Sequence, residues 1–329
     1  MKKCEANILF TSSGRRVSLI NMFKDCIADN NLTGKIITAD NKNNAPTTFF
    51  SDKHYIVSRV NNPNYINELV SICINENIKL LIPLIDTELT VLSKNRKRFD
   101  ELGVKVLVSS NQLNDIAYDK VETYKFFYEN KILTPKVYSD DELNNREFQF
   151  PLLIKPRNGS SSIGVTKVNN LNELMFFKSY IQNAMVQEFV KGEEYTIDVM
   201  VDMQGNIKTI VPRLRIETRA GEVSKGITRK DSSIIDAVKD VVKKLPGAVG
   251  CITLQCFKKD NGEITFIEIN PRFGGGVPLA IKAGANFPKW AIDLIDETVF
   301  NETDLSWQEG LTMLRYDEAV FTEKFEYAN

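Results

Sequence analysis

Residues 253–272 read Thr253-Leu254-Gln255-Cys256-Phe257-Lys258-Lys259-Asp260-Asn261-Gly262-Glu263-Ile264-Thr265-Phe266-Ile267-Glu268-Ile269-Asn270-Pro271-Arg272. The Asn261-Gly262 pair lies between two alternating segments, a strong local signal for a two-residue hairpin turn. With the turn centred there, Gln255 falls directly opposite Glu268. Asn270 lies two residues further along the same face, because strand side chains alternate with period two. Ile267 and Ile269 point the other way, towards a core. One carboxylate beside two amide oxygens, with no His or Cys, is a hard-oxygen set suited to Mg²⁺, which completes its shell with waters and substrate phosphates. The same three residues also describe the solvated face of an amphipathic hairpin, so other segments must decide between the two readings.

The rest of the composition narrows the classes. At 329 residues the chain is long enough for two or three packed units. A formal net charge of −1 with no sustained Lys/Arg stripe argues against a nucleic-acid partner. The densest basic run, Lys94, Arg96, Lys97 and Arg98, reads as one exposed helix face. No stretch reaches the roughly 18 apolar residues that span a bilayer, and the N-terminus lacks a signal-peptide pattern, so no membrane partner and a cytoplasmic location are expected. The five cysteines are odd in number and without metal-ligand spacing, hence reduced and mostly buried. The odd separation of Cys251 and Cys256 sends them to opposite faces of one strand. His54 is the only histidine, which removes His-dependent triads and His-rich zinc sites.

The first 110 residues alternate strands at Asn7 to Thr11, Lys35 to Ala39, Lys79 to Ile85 and Val104 to Val108 with helices at Val17 to Ala28, Tyr65 to Asn75 and Leu89 to Asp100. That order implies an open parallel sheet whose ligands gather at the carboxyl ends of the strands. Thr11-Ser12-Ser13-Gly14-Arg15-Arg16 occupies the first such end. Its backbone amides and arginines suit an anion at a helix N-terminus, or a plain capped turn. Asp40 ends the second strand, but a dinucleotide reading fails for want of Gly-x-Gly-x-x-Gly. Asp86 and Glu88 follow the strand ending at Ile85, placed either to meet a cationic substrate group or to cap the next helix.

From Asn111 the pattern changes. A helix carrying Asp119 and Lys120 leads to the strand Phe150 to Lys155 and then to Gly159-Ser160-Ser161-Ser162-Ile163-Gly164, a loop of small donors suited to folding over phosphates. It is not a P-loop, lacking Gly-Lys-Ser/Thr and the helix behind it. Strands follow at Met185 to Val190 and Tyr195 to Val201. Along Arg213-Leu214-Arg215-Ile216-Glu217, alternation puts both arginines and Glu217 on one face. Gly274, Gly275 and Gly276 make a second loop where backbone can closely approach a ligand.

Taken in order, Asp119-Lys120, Ile154-Lys155, the Gly/Ser loop, Gln187-Glu188-Phe189-Val190 and Gln255 with Glu268-x-Asn270-Pro271-Arg272 resemble the ATP-grasp superfamily. Within it they are similar to the branch of the carbamoyl-phosphate synthetase large subunit and related carboxylate-amine ligases. The resemblance implies an α/β and α+β architecture: a pre-ATP-grasp, Rossmann-like open parallel sheet over 1–110, then an ATP-grasp domain over 111–329. A small lid subdomain is expected at about 120–190.

It further implies ATP and Mg²⁺, two ions, with Mn²⁺ able to substitute. Lys120 and Lys155 would contact phosphates under the Gly159 to Gly164 loop. Gln187, Glu188, Phe189 and Val190 would form the adenine hinge, and Glu193 or Glu194 would meet the ribose. Gln255, Glu268 and Asn270 map to the metal positions. Arg272 would face the transferred phosphate, joined by Arg215 and Lys225. Substrate candidates are Ser13, Gly14, Arg15, Asp86, Glu88, Arg213, Gly275 and Gly276. The expected reaction is amide formation between a small carboxylate, such as an amino acid, and an amine through an acyl phosphate, with a homodimer as the assembly. Carboxyphosphate chemistry, a small-molecule kinase and a nucleotide-binding regulator without turnover remain as alternatives.

Overall fold

The computed structural model describes residues 5–159 and 163–323. Its first unit is a five-stranded parallel sheet in the order β3-β2-β1-β4-β5, made of β1 (Ile8–Thr11), β2 (Ile36–Asp40), β3 (Lys53–Ile56), β4 (Leu80–Pro83) and β5 (Lys105–Val106). β1 and β4 are buried at every position, as strands covered on both faces must be. Helix α1 (Val17–Asp29) turns Leu19, Ile20, Phe23, Cys26 and Ile27 inward, and α2 (Tyr65–Asn75) does the same with Ile66, Leu69 and Ile72. β3 is an edge strand of half-exposed residues that carries no apolar run for the sequence to reveal. The helix expected from Leu89 starts earlier and breaks, giving α3 (Asp86–Lys94) and α4 (Arg96–Asp100). At the break the Asn95 amide donates to Val91 O, 2.9 Å.

After α5 (Asn111–Tyr118) and α6 (Lys120–Glu129) comes a small antiparallel sheet, β6 (Val137–Tyr138), β7 (Leu152–Pro156), β8 (Thr166–Val168) and β9 (Ala184–Glu188), in the order β6-β9-β7-β8. Helices α7 (Asp140–Asn144) and α8 (Leu171–Tyr180) accompany it. Leu143, Leu152, Ile154, Val168, Leu174 and Val186 form its own core. Leu113 and Phe127 pack elsewhere, into the core of the large sheet. The small sheet therefore begins as a packing unit beyond α6, while α6 itself packs with the large sheet.

The large sheet is antiparallel, ordered β14-β13-β10-β11-β12-β15, from β10 (Glu193–Val201), β11 (Ile207–Arg219), β12 (Glu222–Thr228), β13 (Gly250–Lys258), β14 (Ile264–Asn270) and β15 (Thr312–Leu314). One face packs on α9 (Ser232–Val242) through Ile234, Val238 and Val241. The other face puts Met200, Val211 and Cys251 into one core with Phe10 and Phe23 of the first unit. Phe273 and residues of α10 (Val277–Lys282) and α11 (Phe287–Asp293) join it. The hydrophobic core thus runs across position 110, and the two large units are fused rather than hinged on a linker. Cys251 and Cys256 enter the two different cores, on opposite faces of β13; the free thiols Cys26, Cys73, Cys251 and Cys256 are all buried, while Cys4 lies outside the described residues. Among the described residues no helix is long and apolar enough to cross a membrane.

The β13–β14 hairpin departs from the two-residue turn in an instructive way. Lys259 N–H donates to Glu263 O and Gly262 N–H to Lys259 O, closing a three-residue loop with Gly262 in the left-handed region at φ 85°. The register near the loop is Cys256 opposite Phe266, one residue away from expectation. A bulge between Gln255 and Cys256 then restores it, so Gln255 stands opposite Glu268 and Thr253 opposite Asn270. Ile267, expected in the core, is the residue the bulge displaces: it is half-buried, and Phe266 packs inward with Ile269 instead.

Candidate active site

Three elements converge on Glu268. From the small sheet, Lys155 follows the buried Ile154 on β7, so it projects from the opposite face, which it shares with Gln187 through the pairs Lys155–Met185 and Leu153–Gln187. From the first turn of α6, Lys120 donates to Gly159 O at 2.7 Å, tying the helix to the base of the Gly/Ser loop. From the large sheet come Gln255, Glu268 and Asn270. Burial lowers the pKa of both lysines, Lys155 to about 8, and Glu268 is the main charge opposing that shift in each. Ser160, Ser161 and Ser162 lie outside the described residues; Gly159 and Gly164 flank them at positive φ.

Around the acid the polar atoms are already organised. Gln255 Nε2 donates to Glu268 Oε2 at 2.7 Å, while its Oε1 accepts from Arg215 Nη1 at 2.9 Å. Arg215 also holds Glu194 at 2.8 Å. Of the two glutamates left open for ribose, strand alternation puts Glu194 on the face of Thr196, Gln255 and Glu268, and burial raises its pKa, with Arg215 pulling the other way. Glu193 faces away, accepting from Tyr195 OH at 3.1 Å. Arg272 donates from Nη2 to Asp86 at 2.7 Å and to Asn270 Oδ1 at 3.2 Å, bringing the first sheet's β4 end into the site. Burial works against the Arg272 charge, but Asp86 and Glu268 act together in the other direction and the pKa is raised.

As a test of fit for a divalent cation, the donor set is one carboxylate and two amides, with no cluster of three acidic, His or Cys ligands among the described residues. Such a set suits a hard cation that takes most of its oxygens from phosphates and water; Gln255 Oε1 spends one lone pair on Arg215 and would turn its second towards the cation.

Several expected site residues do other work. Glu88 is fully buried; its carboxylate accepts from Tyr65 OH at 2.6 Å and from Leu84 N–H at 3.0 Å, so it closes the start of α3 rather than meeting substrate. Ser13 is sealed against Thr47 Oγ1 at 2.7 Å, and Asp40 accepts from Gly14 N–H at 2.9 Å, making this loop a tied turn. Glu188 points away from Lys155, its carboxylate accepting from Lys136 N–H at 3.0 Å, whereas its neighbour Gln187 shares the Lys155 face. Arg213 is not on a solvated face: it is buried and pairs bidentately with Asp198 at 2.6 and 3.1 Å. A bulge separates Arg215 from Glu217, which pairs with Lys225 at 2.6 Å on the exposed surface. Gly226 stands opposite Arg215, so alternation sends Lys225 to the other face, away from the cleft.

The glycine loop after Arg272 makes its close approach to protein groups. A β-carbon at Gly276 would overlap Arg213 Nη1 and Val223, and one at Gly275 would come within 2.7 Å of Arg16 Nη1 and 3.1 Å of Glu222. Arg16, rather than the exposed Arg15, is therefore the arginine of the first loop that reaches the site. Asp198, Glu222 and Arg315 were missed from sequence. The lone aspartate in the apolar run Ile197 to Val201 is the available signal for the first; Arg213, opposite Thr196 on the next strand, reaches it diagonally.

The PylC-like N-terminal domain matches residues 8–107 and the ATP-grasp domain residues 117–276. A D-alanine--D-alanine ligase of Pelagibacter ubique is 29% identical over 182 residues, covering 49% of this chain and 60% of the relative. The chain thus spans less than two thirds of that relative's length. An L-amino acid ligase from Bacillus licheniformis superposes with a TM-score of 0.72 at 17% identity, over 95% of this chain and 79% of the other. The biotin carboxylase domain dimer of a Hydrogenobacter thermophilus 2-oxoglutarate carboxylase, solved with MgADP, ADP and bicarbonate, superposes at 0.74 with 15% identity, over 93% of this chain and 73% of the other.

Proposed function

The chain belongs to the ATP-grasp family, with a PylC-like N-terminal domain, and from that premise we propose that it is an ATP-dependent carboxylate-amine ligase acting on small molecules such as amino acids. The observation that carries this reading is the convergence of Lys120 and Lys155 on Glu268, beside Asn270 and Arg272. Cations supplied by two elements opposite the lone acid of the trio suit a polyphosphate held with its metal.

A carboxylate is a poor electrophile, because its charge repels nucleophiles and oxide does not leave. In the proposed sequence a carboxylate oxygen attacks the γ-phosphorus and ADP departs, giving an acyl phosphate. The amine then attacks the acyl carbon, phosphate leaves with the former carboxylate oxygen, and the amine nitrogen loses a proton. Lys120 and Lys155 orient the phosphates, the Gln187 to Val190 backbone edge holds the base, and Glu194 binds the ribose hydroxyls. Arg272, fixed by Asp86, presents its guanidinium to the oxygens on which charge develops. Glu268, Asn270 and a reoriented Gln255 would hold Mg²⁺, two ions in this reading, which would offset phosphate charge when bound. Orientation and electrostatics suffice, and no protein nucleophile is needed.

A homodimer is the proposed assembly, supported by the dimeric biotin carboxylase neighbour and checked by light scattering. The function is tested by ADP release from Mg-ATP with a panel of acids and amines, with mass spectrometry of products. Release that requires one acid and one amine together, and that collapses in Glu268→Gln, supports it. Nucleotide binding without turnover across the panel contradicts it.

A further inference from the structure

The end of the site away from the lysines holds three arginines from three distant parts of the chain: Arg16 before α1, Arg272 after β14, and Arg315 after β15. Two are matched. Arg272 holds Asp86 at 2.7 Å, and Arg315 Nη1 donates to Glu222 at 3.0 Å and to Val223 O at 3.2 Å. Arg16 is largely enclosed, lies against Gly275, and makes no side-chain hydrogen bond or ion pair among the described residues. Its position is electrostatically adverse on two counts. It is the N-cap residue of a 13-residue helix, where the macrodipole opposes a cation, and Arg272 and Arg315 add like charge. Burial and these neighbours lower its pKa to about 10, so it stays charged at neutral pH with only Glu222 and Asp86 in range to offset it.

Resting on the ligase reading and deepening it, we infer that Arg16 and Arg315 form a second anion subsite, which takes a negatively charged group that the substrate carries in addition to the carboxylate facing Arg272. A carboxylate or a phosphate ester fills the same role. Glu222 holds Arg315 until such a group arrives, as Asp86 holds Arg272. The rim of this subsite is the last described strand with its following residue, and the subsite gives that segment a role in substrate choice: β15 pairs with β12 through Lys225–Leu314 and Gly226–Met313, which places Arg315 beside Glu222.

The test is calorimetric and needs no turnover. The full chain, saturated with Mg²⁺ and a non-hydrolysable ATP analogue so that the nucleotide site is filled, is titrated with glutarate, butyrate and inorganic phosphate. Glutarate binding at least tenfold tighter than butyrate assigns a carboxylate subsite; phosphate binding that also depends on Arg16 assigns a phosphate one. In Arg16→Met, checked for a wild-type melting profile, the preferred anion should weaken tenfold or more while butyrate is unchanged. Arg16→Lys should recover part of the loss. Glu222→Gln, which keeps Arg16, should tighten the anion severalfold. Absence of binding by both dianions, or equal affinities in wild type and Arg16→Met, overturns the inference, whereas failure of the nucleotide analogue itself to bind would instead contradict the ligase reading.

Discussion

Arg213 and Arg272 each hold an aspartate, at 2.6 and 2.7 Å, yet the two pairs are built for different ends. The Arg213–Asp198 pair is sealed, with side chains 1% and 0% exposed, and is bridged strand to strand beneath the glycine loop. The Arg272–Asp86 pair joins the two large units across the cleft and keeps 12% and 23% exposure. A buried pair whose partners cannot reach water is bound to remain together, because an unpaired charge there has no hydration to fall back on. A pair at a cleft can open when a substrate oxygen replaces its acid. The charges match and the distances differ by only 0.1 Å; access to solvent separates scaffold from chemistry.

The largest effect that separates them is on stability. Arg213→Met leaves Asp198 buried with no cation and only the 3.4 Å hydrogen bond from Thr253 Oγ1, and should cost about 3–5 kcal/mol in urea unfolding. The double variant Arg213→Met, Asp198→Asn should recover part of it. Arg272→Met should do the reverse: kcat falls by about 10²–10³, the loss typical of one donor at developing charge, with a much smaller shift in unfolding midpoint because Asp86 can hydrate. A collapse in stability with Arg272→Met, or normal stability with Arg213→Met, breaks the comparison.

A smaller effect sharpens it through pH. Lys155 is lowered to about 8 from an ordinary 10.5, so in the free protein its charge is lost above about pH 8 while the unfolded chain keeps its proton to about 10.5. This cation therefore weakens the free fold below pH 8, and that penalty fades between pH 8 and 10.5. ATP affinity should move the other way, falling by up to about tenfold per unit above pH 8, and Lys155→Met should flatten that profile. The smallest effect belongs to the exposed pair: Lys225→Ala should change stability by less than about 1 kcal/mol and leave turnover unaltered.

The sequence carried the fold because its strands and helices are strongly patterned, and it carried the Gln255, Glu268 and Asn270 face for a less direct reason. The loop holds one residue more than a two-residue turn and the strand one bulge, and the two displacements cancel before Gln255. Only Ile267, between them, ends on the wrong face. What stayed hidden depends on long-range packing. Nothing local marks Glu88 as sealed by Tyr65, Arg213 as captured by Asp198, or Arg315 as returning to Glu222, since each partner lies on another element. The bulge after Arg215 likewise divides residues that simple alternation keeps together.

The central claim, activation of a carboxylate as an acyl phosphate, is tested most directly by isotope transfer. With an acid substrate found in the panel and labelled with ¹⁸O in both carboxylate oxygens, the account predicts that each turnover delivers one ¹⁸O into inorganic phosphate, in step with amide formed and ADP released. ADP and phosphate appearing with no ¹⁸O in the phosphate would contradict it.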